Sequence, residues 1–155
     1  MLEKRQFFLF DVNEMETFDV LTESEVTSEN IASLFKRAFM TCSIDEDGDL
    51  KVQVDDFLVI LSLHDSQKLL KMMAIFGVNE SSPLELKHAF VNKMNDVYIL
   101  TRFSIPEQRS DVLMVDYFMP YEGGISTHQL VSTTRTFARI ARSAIRDCDE
   151  HDLVE

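Results

Sequence analysis

The stretch "SIDEDGDLKVQVDDFLVILSL", residues 43–63, limits the possible folds more than any other part of the chain. Asp47-Gly48 lies between two β-like runs, and both residue types tolerate the positive φ of a tight hairpin turn. After the glycine, "LKVQV" alternates apolar and polar residues as a half-buried strand does. A calcium loop can also be written on these residues, but it fails at its last ligand. With Gly48 in sixth place, Ser43, Asp45 and Asp47 stand at places one, three and five. Place twelve, which needs a bidentate Glu, is Val54. The stretch therefore reads as an antiparallel hairpin, continued by the β-branched and leucine-rich "FLVILSL".

The other elements follow from periodicity and punctuation. "TSENIASLFKRA" (27–38) places Ile31, Leu34, Phe35 and Ala38 on one helical stripe, with Thr27 or Ser28 as N-cap. β-like runs are expected at 39–45, 49–54 and 56–63, a polar turn at 64–67, and a fourth strand at 69–78. "SSPLELKHAFVNKMNDV" reads as a helix with Ser82 capping, Pro83 in the first helical position and Glu85 completing a capping box. Leu86, Ala89, Phe90, Met94 and Val97 would form its apolar face. Strands at 98–105 and 111–119 come next, the second stopped by Pro120 and Gly123-Gly124. Ser126 or Thr127 then opens a helix to about 148.

Grouped strands joined by short turns imply an α+β fold. We expect an antiparallel sheet of five to six strands with helices packed on one side, in the order α-β-β-β-(β)-α-β-β-α. Residues 1–26 read as an acidic, partly ordered arm, 27–149 as one domain, and 150–155 as a frayed acidic tail. Both faces of the 111–119 strand are apolar. Val112, Met114 and Phe118 point one way; Leu113, Val115, Tyr117 and Met119 point the other. Helices can cover one face only, so a second cover is required. A second copy of the chain, meeting at Val112, Met114 and Phe118, or the N-terminal arm would supply it.

The order of these elements is similar to that of the YbjN family of bacterial sensory-transduction regulators. The resemblance rests on the "IDEDGDLKVQVDDFLVIL" hairpin, the "SPLELKHAFVNKMND" helix, and "LMVDYFMPYEGGISTHQLVSTTRTFARIARSAI", and covers roughly residues 28–148. It implies a fold like that of type III secretion chaperones, which commonly dimerise, and a protein-binding role. It implies no reaction and no site residues that could be transferred by position. The first 26 residues fall outside its pattern.

A net charge of −12 repels nucleic acid and anionic membranes, so neither is expected as a partner. No apolar run is long enough for a spanning helix. The N-terminus lacks a signal-peptide pattern, and two distant cysteines, Cys42 and Cys148, read as ordinary buried thiols. A cytoplasmic protein is expected. The four histidines, His64, His88, His128 and His151, have no metal-ligand spacing, and the four glycines cannot form a phosphate-binding loop. Asp55-Asp56 reads as a charged turn, and Met72, Met73, Met94, Met114 and Met119 as core. No cofactor or metal is expected.

One pattern stands apart. Arg135, Arg139, Arg142 and Arg146 fall within about 60° of one another on the last helix. Leu130, Phe137, Ile140, Ala141, Ala144 and Ile145 occupy the opposite side. The stripe is either the solvated face of an amphipathic helix or a docking surface for an acidic partner segment, which could be the chain's own residues 11–29. The sequence as a whole reads as a non-enzymatic protein-binding module, a chaperone-like or regulatory adaptor. The alternatives are an enzyme with a site assembled from scattered residues, or a small-ligand sensor.

Overall fold

The computed structural model describes residues 19–155. Six strands form one antiparallel sheet: β2 (Cys42–Ile44), β3 (Leu50–Val54), β4 (Phe57–His64), β5 (Leu69–Gly77), β6 (Arg102–Ser104) and β7 (Val112–Pro120). Their spatial order is β2-β3-β4-β5-β7-β6. A two-stranded ribbon joins β1 (Val20–Leu21) to β8 (Ile125–Ser126). Three helices, α1 (Ser28–Arg37), α2 (Leu84–Val97) and α3 (Thr127–Cys148), pack on one face of the large sheet. The fold is α+β, with the expected segregation of helices.

The register explains the core. Leu50, Leu61, Met72 and Tyr117 stand in one cross-strand row, and Val52 and Val59 in the next; all but Tyr117 are fully buried on the helix side. Alternate residues point to the other face, because side chains alternate along a strand.

The hairpin after β2 is built by Asp45. Its Oδ1 accepts from the N–H groups of Asp47 (3.1 Å) and Asp49 (3.0 Å), and Gly48 takes φ 86°. The acidic oxygen thus serves the turn's own backbone. Gly124 has a packing reason as well as a conformational one: at φ 111°, an added Cβ would lie 2.6 Å from the Leu21 carbonyl oxygen. The bare glycine lets β1 pair with β8.

Several expectations need correction. The strand expected from residue 39 begins only at Cys42, because α1 ends first in a Schellman motif. Met40 N–H donates to the Phe35 carbonyl (2.9 Å) and Phe39 N–H to that of Lys36 (3.1 Å), with Phe39 at φ 60°. Ser82 does not cap α2. The N-cap is Pro83 with extended backbone and no side-chain cap, since Asn79 already closes the preceding turn by accepting from the Ser81 N–H and hydroxyl. On α2, Ala89 and Val97 are exposed, and Lys87 is buried instead. Its ammonium donates to the Ser110 carbonyl (2.7 Å), so its length lets a charged group serve as a tie to the loop before β7.

The strand expected at 98–105 shrinks to Arg102–Ser104, because Leu100 adopts φ 82° and breaks the extended run. Met73 and Met114 are only half-buried, on the face away from the helices. The C-terminal tail is not frayed. Leu153 is buried, Val154 bridges Val78, and the Asp149 carboxylate accepts from the Leu153 and Val154 N–H groups. Of the proposed N-terminal arm, residues 19–26 form β1 and a 3₁₀ turn at Glu23–Glu25, with Val26 buried. Residues 1–18, including "RQFFLF", lie outside the described residues.

Candidate functional site

The arginine stripe is positioned by the packing of α3. Ser126 caps the helix by accepting from Gln129 N–H (3.4 Å). Leu130, Thr134, Phe137, Ala141, Ala144 and Cys148 are buried at alternating spacings of four and three, which fixes the helix rotation against the sheet. Ile140 and Ile145 flank that seam, half-buried. Thr134 is a polar residue in an apolar seam, and its hydroxyl donates to the Leu130 carbonyl (2.9 Å). The rotation that buries this seam exposes Arg135, Arg139, Arg142 and Arg146 together.

These four arginines line a groove of about 470 Å³ whose other wall is Val54 and Asp55 in the β3–β4 turn. Asp55 holds φ 55°, the left-handed conformation that turns the chain there. Arg135 donates to the Ala38 carbonyl (3.3 Å), and no acid among the described residues pairs with it. Arg142 pairs with Asp56 and lies 5.9 Å from the Phe57 ring centroid. Arg146 makes two hydrogen bonds to Asp147, at 2.7 and 3.2 Å. Those bonds raise the arginine pKa and, with the Tyr98 hydroxyl as second donor, lower that of Asp147. Arg139 has no partner among the described residues.

Two of the four cations are thus matched by acids that are themselves accessible. Asp56 has a side-chain exposure of 86%, so its ion pair is solvated and of little net worth. An incoming carboxylate can displace it at low cost. Around the end of the sheet, Phe39 adjoins the same groove through Arg135, and its side chain is fully exposed. Sequence reading missed Phe39 because "AFMTC" looked like a strand. The helix-ending geometry depends on a positive φ that only Gly or Asn would have signalled. Asp55-Asp56 forms the exposed turn that its charge implied, but only the tertiary packing brings it to the stripe.

The second candidate surface is the sheet face without helices. Val112 and Met114 are half-buried there and Phe118 is 37% exposed, beside Leu58, Ile60, Met73 and Ile75. In their midst stands Asp116, almost wholly buried, held by Arg102 through two hydrogen bonds of 2.9 and 2.7 Å. The Phe118 ring is flanked by Lys71, Arg102 and His64, each centred about 6 Å away. Residues 19–29, part of the segment considered as an occupant of the stripe, lie elsewhere. Glu23 pairs with Lys68 and accepts from Gly123 N–H, and Glu25 accepts from Thr22. Among the described residues no group of three or more potential metal ligands occurs, and no helix is long and apolar enough to cross a membrane.

Comparison with solved structures places this architecture. The crystal structure of YbjN from E. coli matches with a TM-score of 0.67 and 16% identity, over 82% of this chain and 94% of that one. A chain of the HopA1–SchA chaperone–effector complex matches at 0.53 and 15%, over 77% and 90%. The Yersinia pestis type III secretion chaperone SycH, solved with a stable fragment of YscM2, matches at 0.51 and 16%, over 77% and 97%. At these identities the likeness is one of fold. A comparison with curated protein sequences finds no match. A family model, however, matches residues 27–150. The chain belongs to the YbjN family, whose description is "Putative bacterial sensory transduction regulator".

Proposed function

We propose that this protein is a non-enzymatic protein-binding module, a chaperone-like or regulatory adaptor in bacterial signalling or stress response, whose arginine groove receives an acidic segment of a partner. The observation that carries this reading is the exposure of four arginines in one groove on a chain of net charge −12. Charge of one sign, gathered against the molecule's overall sign, steers an oppositely charged partner to one place. Phe39 beside it offers an aromatic anchor, of the kind that carries binding energy at protein interfaces. Fold neighbours captured with an effector or with a protein fragment support a protein partner. The two free, buried thiols fit a cytoplasmic setting.

A labelled peptide of alternating Glu and Leu, followed by fluorescence anisotropy, tests the groove. It should bind the wild-type chain better than a Gln/Leu peptide does. Replacing the four arginines by Gln should weaken binding several-fold, most at low salt, with the melting temperature nearly unchanged. Equal binding by the two proteins would retire the groove as a docking site.

The open sheet face, with Val112, Met114 and Phe118, supports a second reading, that two copies meet there. Light scattering at micromolar concentration should give about twice the chain mass of 17.9 kDa. A monomer at every concentration tested would exclude it.

A further inference from the structure

The sheet face without helices is polarised along its strands. At one end, Lys71 stands opposite Phe118 in the β5–β7 register, with its ammonium 5.8 Å from the ring centroid. At the other end of the same two strands, Gly77 stands opposite Val112. Gly77 has no side chain, and Glu155 fills the space beside it. A Cβ added at Gly77 would meet Glu155 Oε2 at 3.5 Å and Glu155 Cβ at 3.7 Å. The Glu155 N–H donates to the Gly77 carbonyl (3.1 Å), and the bridge between Val154 and Val78 fixes the approach. Side chains alternate along a strand, so Lys71, Met73, Ile75 and the missing side chain of Gly77 all point to this one face. An acid and a base therefore stand on it about 20 Å apart along β5.

These two charges differ from their neighbours. Arg102 is matched by Asp116, Arg109 by Asp111 and Lys51 by Asp45. Lys71 and Glu155 make no ion pair among the described residues. Between them the face is apolar, with Met73 and Met114 half-buried and Ile75 52% exposed.

A face with a cation at one end, an acid at the other and apolar residues between is complementary to itself. Two copies related by a two-fold axis present the same patch to each other. Consider an axis in the plane between the sheets, crossing β5 at right angles at the level of Ala74. It reverses the strand direction. Lys71 then faces Glu155 of the second copy, Met73 faces Ile75, and Phe118 faces Val112, and each contact occurs twice. Sheets packed face to face cross at about 30°, which displaces points 10 Å from the axis by about 5 Å, within the reach of Lys and Glu side chains. An axis running along β5 instead sets Lys71 against Lys71 and Glu155 against Glu155, and such like-charge contacts are costly.

We propose that two copies of the chain pack open face to open face with their β5 strands running in opposite directions, held by reciprocal Lys71–Glu155 pairs and by Phe118 on Val112. The orientation rests on the reading that two copies meet on this face, and its test is separate from the measurement of mass.

In low salt, Lys71→Glu and Glu155→Lys should each raise the dimer dissociation constant several-fold, followed by light scattering across a dilution series. The chain carrying both changes should recover most of the loss, because the pairs are remade with their signs exchanged. For the geometry, full chains carrying Phe118→Cys and chains carrying Val112→Cys are mixed and treated with a short bismaleimide. The mixture should give a product at twice the chain mass, and either variant alone should give little. The native thiols, Cys42 and Cys148, are buried, and the wild-type chain measures their background. Efficient cross-linking of either variant with itself in place of the mixture, or a double charge variant no tighter than the singles, would overturn the orientation while light scattering still shows a dimer. A wild-type chain that stays monomeric at every concentration would overturn the meeting of copies and the orientation with it.

Discussion

β7 shows the same strand in two environments. On its helix side, Leu113 and Val115 are fully buried and Met119 nearly so. On its other side, Val112, Met114 and Phe118 keep part of their surface in water, and the most buried residue is a carboxylate, Asp116. The first face is closed by packing alone. The second combines apolar surface with a polar group that Arg102 completes. A face finished inside the chain should respond to truncation as a core does. A face waiting for a cover should respond weakly, or in a way that depends on what covers it.

The largest effect should separate the two faces directly. Leu113→Ala removes a fully buried side chain and should cost about 2–5 kcal/mol. Met114→Ala, one residue on and half-buried, should cost about 1 kcal/mol or less in dilute protein. Urea unfolding measures both. If the Met114 variant costs as much as the Leu113 variant, and more so at high protein concentration, the open face is covered in solution by another copy.

Next comes the polar centre of the open face. Arg102→Met removes the partner of a buried carboxylate. Arg102 itself is 63% exposed in its side chain, which reduces the worth of the pair, so a loss of about 2 kcal/mol is expected. Adding Asp116→Asn should recover part of it. A single variant as stable as wild type would mean that water reaches Asp116 freely once the arginine is gone.

Beyond β7 the chain enters Tyr121, a buried phenol that sharpens the contrast with Asp116. Burial first, then its hydrogen bond to Asp65 (2.8 Å), pushes its pKa up to about 12. The unfolded value is about 10, so between these two pH values the unfolded chain loses the proton first. Stability contributed by the neutral phenol is complete below pH about 10 and falls as pH rises towards 12, by on the order of 2 kcal/mol. Tyr121→Phe should flatten that part of the stability profile. An identical slope in the variant would assign the alkaline loss to other groups.

The sheet and the helix rotation were legible because they obey short-range rules. The Asp47-Gly48 turn, the alternation in "LKVQV" and the seam of Leu130, Phe137, Ala141 and Ala144 need no tertiary information. The stripe of arginines followed from the same seam. What was not legible depends on long-range contacts or on backbone conformations that the residue type disfavours. Asp55 closes the groove only because the β3–β4 turn folds back on α3. Asp116 could be assigned to its face but not to Arg102, fourteen residues away on the neighbouring strand. Lys87 lies outside the apolar face expected of α2, and is buried because the loop at Ser110 gives its ammonium an acceptor. Phe39 and Leu100 break expected strands with positive φ, where a sequence rule looks for glycine.

Phe39 gives the smallest effect and ties stability to binding. It fills the left-handed position of a Schellman motif while its ring contacts solvent, so the conformation is held without packing in return. A left-handed conformation costs a non-glycine residue about 1–2 kcal/mol, and glycine's greater freedom in the unfolded chain takes back about 0.5–1 of that. Phe39→Gly should therefore stabilise the fold by about 0–1.5 kcal/mol, read as a raised midpoint in guanidinium. Phe39→Ala keeps the left-handed strain and removes only the ring, so its stability should stay near wild type. If the ring anchors a partner beside Arg135, both variants should lose affinity for the Glu/Leu peptide to the same extent, although only one gains stability. That pairing separates a strained residue kept for binding from one that is merely tolerated. Unchanged peptide affinity in both variants would remove Phe39 from the docking surface and leave the arginines to act alone.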